Sequence, residues 1–250
     1  MEESDAMLAA LFELHAGLER QGPGDRLFSR HILSLLPALP QNPRIADLGC
    51  GSGDGALLLA DWFRCKVTAV DFSRLFLDQL EVRAETLGLA HLIDAVEADM
   101  GALDWPSGSL DLLWSEGAAY NLTFAGALTT WRPLLAAGGL AVVSELSWFA
   151  ETPPDEIYDY WMNAYPAIGS EMVNAARAGR AGFDVLGIHR LPSQAWRDHY
   201  YEPLKTRIDR FAGRADEAMR QVIRETETEM DMFRRYGEYY GYAFYLLQAR

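Results

Sequence analysis

Disulfide chemistry, positive charge and long apolar runs are all scarce in this 250-residue chain. There are two cysteines, Cys50 and Cys65, in no paired or metal-like spacing, which excludes a disulfide framework and a thiolate zinc site. Two reduced thiols are what a cytoplasmic protein carries. No apolar stretch approaches the roughly 20 residues of a membrane-spanning helix, so no membrane partner is expected. Residues 1–5 are acidic and lack the basic-then-apolar pattern of a secretory signal, which again points to the cytoplasm. Lys and Arg number 22 against 36 Asp and Glu, a net charge of -14. That field repels phosphate backbones and anionic lipid heads, so nucleic acid is not an expected partner. A small neutral or cationic molecule suits the charge better. Internal repeats and low-complexity linkers are also missing, so residues 1–250 read as one domain.

What is present is a rhythm. Half the residues are hydrophobic, and short apolar runs alternate with amphipathic stretches. Residues 6–20 and 26–36 read as helices, the first stopped by Gly22-Pro23-Gly24 and the second by Pro37. Strands are then expected at 44–48, 66–70, 92–98, 110–114 and 140–146, with helices at 55–63, 74–87 and 123–136 between them. Residues 155–180 read as largely helical, 183–191 as a sixth strand, 193–236 as charged helix, and 239–248 as a last strand. Seven strands in this order predict an α/β fold with a doubly wound, mostly parallel sheet, because parallel neighbours need crossovers that put helices on both faces. Helical additions fall at the N-terminus and between the last strands. Residues 1–40 form an N-terminal helical lid, 41–150 a cofactor-binding core, and 151–250 the acceptor side. Such sheets bind ligands beyond the carboxyl ends of their strands.

Those ends carry the informative residues. Asp47-Leu48-Gly49-Cys50-Gly51-Ser52-Gly53 follows the first strand, and glycines at alternate positions let the backbone turn tightly and approach a ligand. The next helix aims its free amides at the same place. Gly51-Ser52-Gly53-Asp54-Gly55-Ala56 also satisfies a loose dinucleotide fingerprint, so a nicotinamide-dependent oxidoreductase is one reading. Asp47 argues against it, since a carboxylate there repels a pyrophosphate and attracts an ammonium or sulfonium. Asp71 ends the second strand, where an acid accepts from ribose hydroxyls. Asp99-Met100 follows the third, an acceptor for an adenine amino group beside a soft side chain that packs on a ring.

These motifs, followed by Leu110-Asp111-Leu112-Leu113-Trp114 and Gly138-Gly139, resemble in order those of class I S-adenosylmethionine-dependent methyltransferases, near the quinone-biosynthesis branch. The resemblance covers roughly residues 40 to 150. The segments around Arg20-Gln21-Gly22-Pro23, Ser115-Glu116-Gly117 and Trp148-Phe149 resemble a bacterial subgroup of unassigned substrate. It implies a Rossmann-like fold and S-adenosylmethionine as cofactor, with S-adenosylhomocysteine as product. Gly49, Cys50, Gly51 and Gly53 would pass under the cofactor, with Asp47 at its methionine end and Asp71 on its ribose. Asp99, Met100 and Phe72 would frame the adenine, Ser115 would lie near the sulfonium through its backbone, and Arg20 would meet the cofactor carboxylate. Where methyltransferases of nucleic-acid or glutamine amino groups carry Asn or Asp followed by Pro-Pro and an aromatic, this chain has Ser115-Glu116-Gly117-Ala118. The expected acceptor is therefore a small organic molecule.

Glu116, just past the fourth strand, is the first candidate base. Tyr120 and Asn121 follow as acceptor-side groups, and His199 is a further candidate base. Tyr158, Trp161, Met162 and Tyr165 share one helical face, which reads as core or as an apolar lid. No metal-site spacing occurs, and none is expected to bind. The charged stretch 214–235 reads as a solvated helix or as a contact between two copies in a homodimer. A non-catalytic S-adenosylmethionine-binding protein is the remaining alternative.

Overall fold

The computed structural model describes residues 2–211 and 213–250. Its sheet runs in the order β3 (Ile93–Glu97), β2 (Val67–Asp71), β1 (Ile45–Leu48), β4 (Leu110–Ser115), β5 (Leu135–Trp148), β8 (Tyr240–Ala249), β7 (Phe183–Arg190). A two-residue strand, β6 (Gly169–Ser170), lies off this path and pairs with the end of β5. The first five strands of the path are parallel, while β8 is antiparallel to both β5 and β7. The order reverses beside β1, so the crevice that such a reversal opens lies over the β1 and β4 ends.

The helices are α1 (Glu2–His15), α2 (Arg26–Ser34), α3 (Asp54–Phe63), α4 (Arg74–Thr86) and α5 (Phe124–Trp131), followed by α6 (Asp155–Ala164) and α7 (Glu171–Arg180). Then come α8 (Ser193–Trp196), α9 (Glu202–Phe211) and α10 (Glu217–Tyr236). One apolar core joins α1 to α4 and the aromatic cap to one face, with Leu57, Leu77, Trp114, Trp196 and Phe244 at its centre. The other packs α5 and α7 on the opposite face through Phe124, Trp131, Phe183 and Tyr245. Alternate residues of β5 divide between the two: Val142 and Leu146 face one core, Ala141 and Val143 the other.

Three expectations are corrected. The helix expected at 123–136 stops at Trp131, because the Pro133 ring clashes with the turn before it, and β5 begins at Leu135. The helix expected at 155–180 is two: Pro166 lies in the break, and Ser170 starts α7 by accepting a hydrogen bond from the Val173 amide at 3.2 Å. The first helix ends at His15 rather than at residue 20, and Gly17 follows with φ of 78°. The five residues released there, 16–20, carry the chain over the sheet's crevice.

Candidate active site

The turn between β1 and α3 is fastened to β2 by backbone. The amides of Gly49 and Cys50 both donate to the Val70 carbonyl, at 2.8 and 2.9 Å. The amide of Gly51 donates to Asp71 Oδ2 at 2.8 Å, and that of Ser73 to Oδ1 at 2.9 Å. Gly49 has φ of 73°, and a Cβ on it would lie 2.3 Å from Ala118 Cβ, so only glycine fits. Gly53 does something else: it precedes α3 with φ of 86°, and a Cβ there would strike Leu80. Its absent side chain lets α4 close on the turn.

Above this turn lies a cavity of about 810 Å³. Asp47, Gly49, Cys50, Gly51 and Asp71 form its floor, and Phe72, Asp99 and Met100 one wall. The Phe72 ring, 56 % exposed, meets Phe12 of α1 with ring centres 5.3 Å apart. Asp99 Oδ1 accepts from the Gly101 amide at 2.7 Å, and the Met100 carbonyl accepts from Trp131 Nε1 at 2.9 Å. Asp47 is 2 % exposed, and burial, with Glu116 and other acids near it, pushes its carboxyl well above the usual range. Burial also raises Asp71. A cation placed here would restore both carboxylates at once.

The segment after α1 is clasped onto this floor. Gln21 Oε1 accepts from the Ser52 amide at 2.8 Å, Ser52 Oγ donates to the Glu19 carbonyl at 3.0 Å, and Arg83 Nη1 donates to the same carbonyl at 2.9 Å. Arg20 pairs with Asp54 at the start of α3 and, at 3.0 Å, with Glu116 Oε2. Its guanidinium is thus held by two acids. Among the described residues lining the cavity it is the sole Arg or Lys.

Glu116, the first candidate base, is hydrogen-bonded through both carboxylate oxygens. Oε1 accepts from Trp114 Nε1 and Ser29 Oγ, each at 2.9 Å, and Oε2 from Arg20. Three donors hold it as a tether between β4, α2 and Arg20, so both of its oxygens already have protein partners. His199 lies outside the cavity lining: it pairs with Asp25 at 3.1 Å and is 45 % exposed. Ser115 is also outside, its hydroxyl donating to the Leu48 carbonyl at 2.8 Å. Tyr120 and Asn121 do line the cavity, and the Asn121 amide donates to the Ala118 carbonyl at 3.0 Å.

The lining residues that the sequence reading did not single out include His15, Tyr200 and Glu229. They come from α1, from the wide helical turn Arg197–Tyr201, and from α10. Glu229 Oε1 accepts from Tyr201 at 2.8 Å, and burial raises its carboxyl. Behind this wall Glu145 of β5 is 1 % exposed with neither oxygen hydrogen-bonded, and burial pushes it up to about 8. Among the described residues no cluster of His, Cys, Asp and Glu could hold a metal, and no helix is long and apolar enough to cross a membrane.

A glycine turn, three acids at neighbouring strand ends and a cavity over the sheet's reversal define a nucleoside-binding α/β fold of the Rossmann type. Residues 45–139 match the methyltransferase domain family. The chain is 39 % identical over 113 residues to trans-aconitate 2-methyltransferase of Streptomyces coelicolor, covering 43 % of this chain and 36 % of that protein. It is 31 % identical over 162 residues to a ubiquinone/menaquinone biosynthesis C-methyltransferase of Bartonella henselae, covering 60 % and 59 %. Matches to four curated relatives span only 44 %, 36 %, 34 % and 59 % of their lengths. A methyltransferase structure from Geobacter sulfurreducens in complex with S-adenosylhomocysteine superposes with a TM-score of 0.82 at 23 % identity, covering 97 % of this chain and 98 % of that one. Residues 45–139 are thus similar to methyltransferase domains, and the chain shares its fold with an S-adenosylhomocysteine-bound methyltransferase.

Proposed function

We propose that this protein transfers the methyl group of S-adenosylmethionine to a small organic acceptor. The observation that carries this is the convergence of Asp47, Asp71 and Asp99 on one cavity above a glycine turn, with its single guanidinium already neutralised by Asp54 and Glu116. A sulfonium and an ammonium find their counter-charges there, whereas a dinucleotide pyrophosphate meets acids. At about 810 Å³ the space suits a nucleoside together with a small acceptor.

The cofactor, when bound, supplies a methyl group on a positively charged sulfur. In this reading Gly49, Cys50 and Gly51 offer backbone beneath the methionine portion, and Asp47 faces its ammonium. Asp71 keeps lone pairs for the ribose, while Asp99, Met100 and Phe72 frame the adenine. Arg20 and Gln21 close over the methionine end. Gly53 and Ser115 shape the floor without touching the ligand. Tyr120 and Asn121 position the acceptor, and alignment of an in-line displacement alone supplies on the order of 7 to 11 kcal/mol. A nucleic-acid acceptor is opposed by the net charge of -14. A cytoplasmic location is supported by the two free, buried cysteines.

Titration calorimetry tests the reading. S-adenosylhomocysteine should bind with a micromolar or tighter constant and NADH should not. Tight NADH binding without S-adenosylhomocysteine binding would return the oxidoreductase alternative, and nucleoside binding without methyl transfer to any acceptor would favour a non-catalytic role.

A further inference from the structure

His15 and Tyr200 are 185 positions apart, yet imidazole Nε2 and phenol Oη meet at 3.0 Å in the cavity wall. Both are buried, at 6 % and 9 % exposure. The Leu11 carbonyl stands 2.8 Å from His15 Nδ1. A carbonyl only accepts, so the imidazole proton sits on Nδ1 and Nε2 presents a lone pair. Tyr200 therefore donates to His15, and its own oxygen remains free to accept from a donor in the cavity. Apolar side chains of the same helix, Leu8, Leu11 and Phe12, line the cavity with His15. The wide turn Arg197–Tyr201 that delivers Tyr200 is of a rare kind that concentrates at functional sites.

The charge of this end of the cavity narrows what can sit there. Glu229 is its charged side chain, and Arg20, the sole lining Arg or Lys among the described residues, is spent on Asp54 and Glu116. No described lining Arg or Lys is left to neutralise a carboxylate or phosphate of the acceptor.

We propose that Tyr200 and His15 form a proton relay for the acceptor, which is an uncharged or cationic molecule bearing a nucleophilic O–H or N–H. The proposal rests on the methyltransferase reading above. Tyr200 Oη takes the acceptor's proton while its own passes to His15 Nε2. The electron pair freed on the acceptor forms the bond to the methyl carbon, and the carbon–sulfur pair stays on sulfur, leaving a neutral thioether. His15 ends as an imidazolium and returns its proton to solvent on product release. Tyr200 is the group that touches the acceptor; His15 acts through it.

The surroundings suit that cycle. Burial, with the Arg207 charge of α9 adding to it, lowers the imidazole pKa, so His15 starts neutral at pH 7. The Tyr201 ring lies 5.2 Å from that of Tyr200, centre to centre, and Glu229 of α10 and Tyr120 line the same cavity near it.

The test uses the full chain in three forms: wild type, Tyr200→Phe and His15→Gln. Melting temperature and calorimetry with S-adenosylhomocysteine come first, and binding constants within about twofold of wild type are expected. Initial rates follow with catechol, tyramine and trans-aconitate. Wild type should methylate catechol or tyramine, and both variants should lose on the order of 100-fold in kcat with KM little changed. The wild-type kcat should fall on an acid limb with a midpoint below 6.5, and His15→Gln should lack that limb. Two-dimensional 15N–1H spectra of the imidazoles need neither donor nor acceptor, and should show His15 as the Nδ1–H tautomer, shifted in Tyr200→Phe. Wild-type rates in either variant, an Nε2–H tautomer, or turnover of trans-aconitate alone would overturn the relay. So would the absence of phenol or amine turnover by protein that binds S-adenosylhomocysteine. Failure of that nucleoside to bind would instead count against the methyltransferase reading, and the spectra would still judge the pair.

Discussion

The two ends of the cavity are made of different material. Beneath the glycine turn the wall is largely backbone, fixed by amides of Gly49, Cys50 and Gly51 on β2. At the other end it is side chains, His15, Tyr120, Tyr200 and Glu229, brought by four separate elements. Backbone on a rigid sheet recognises what every donor molecule shares, and does so without regard to side-chain identity. Side chains on a helical cap can be exchanged one at a time without unsettling the sheet. The first end is therefore where substitutions should be most damaging, and the second where they should alter chemistry selectively.

Gly49→Ala is the strongest way to break this contrast. It adds a Cβ 2.3 Å from Ala118 Cβ at a residue whose φ is 73°, with rigid neighbours on both counts. We expect S-adenosylhomocysteine affinity to fall more than about 100-fold, nearly 3 kcal/mol, in calorimetry. Unchanged affinity would mean that the turn is not the binding floor. Next is Glu116→Gln, which weakens the tether to Arg20 but leaves Arg20 on Asp54. Affinity should drop about tenfold, as a charge-assisted hydrogen bond of ~1.5 kcal/mol implies, and amide exchange over residues 18–30 should quicken. Turnover at saturating donor should stay within about threefold. A collapse of turnover with intact affinity would restore Glu116 as a base.

Smaller effects sharpen the picture. Glu145 is raised in the folded protein to about 8 from an unfolded value of 4.5. Its stability contribution is thus complete at acid pH and lost as pH rises through 8. Glu145→Gln should melt several degrees, on the order of 5 °C, above wild type at pH 8.5 and level with it near pH 4.5. Equal melting temperatures across that range would show the carboxyl to be solvated. Smallest is His199→Ala. The exposed pair with Asp25 should be worth under ~1 kcal/mol, and rates and melting temperature should hold.

What could be read from sequence follows the same division. Asp47, Asp71 and Asp99 each end a strand, so a local pattern places them beside one another once the sheet is parallel. Pro133 and Pro166 were visible too, and giving them full weight as helix breakers would have placed the start of β5 and split α6 from α7. The partners of Glu116 were not visible: Ser29 and Arg20 lie 87 and 96 positions away. Nor was His15, which occupies an unremarkable place on an amphipathic helix until the turn at Arg197–Tyr201 is folded against it. Local spacing reveals chemistry that one turn of chain builds, and long-range packing hides the rest.

The position of β8 bears on how such a molecule is made. It lies between β5 and β7, though both precede it in the chain, and among the described residues β7 has no other strand partner. During synthesis the strand at 183–190 must wait, its edge unpaired, until about sixty further residues have left the ribosome. Tyr200 and Glu229 lie in the stretch that emerges over that interval, whereas the turn at 45–71 can assemble early on parallel neighbours.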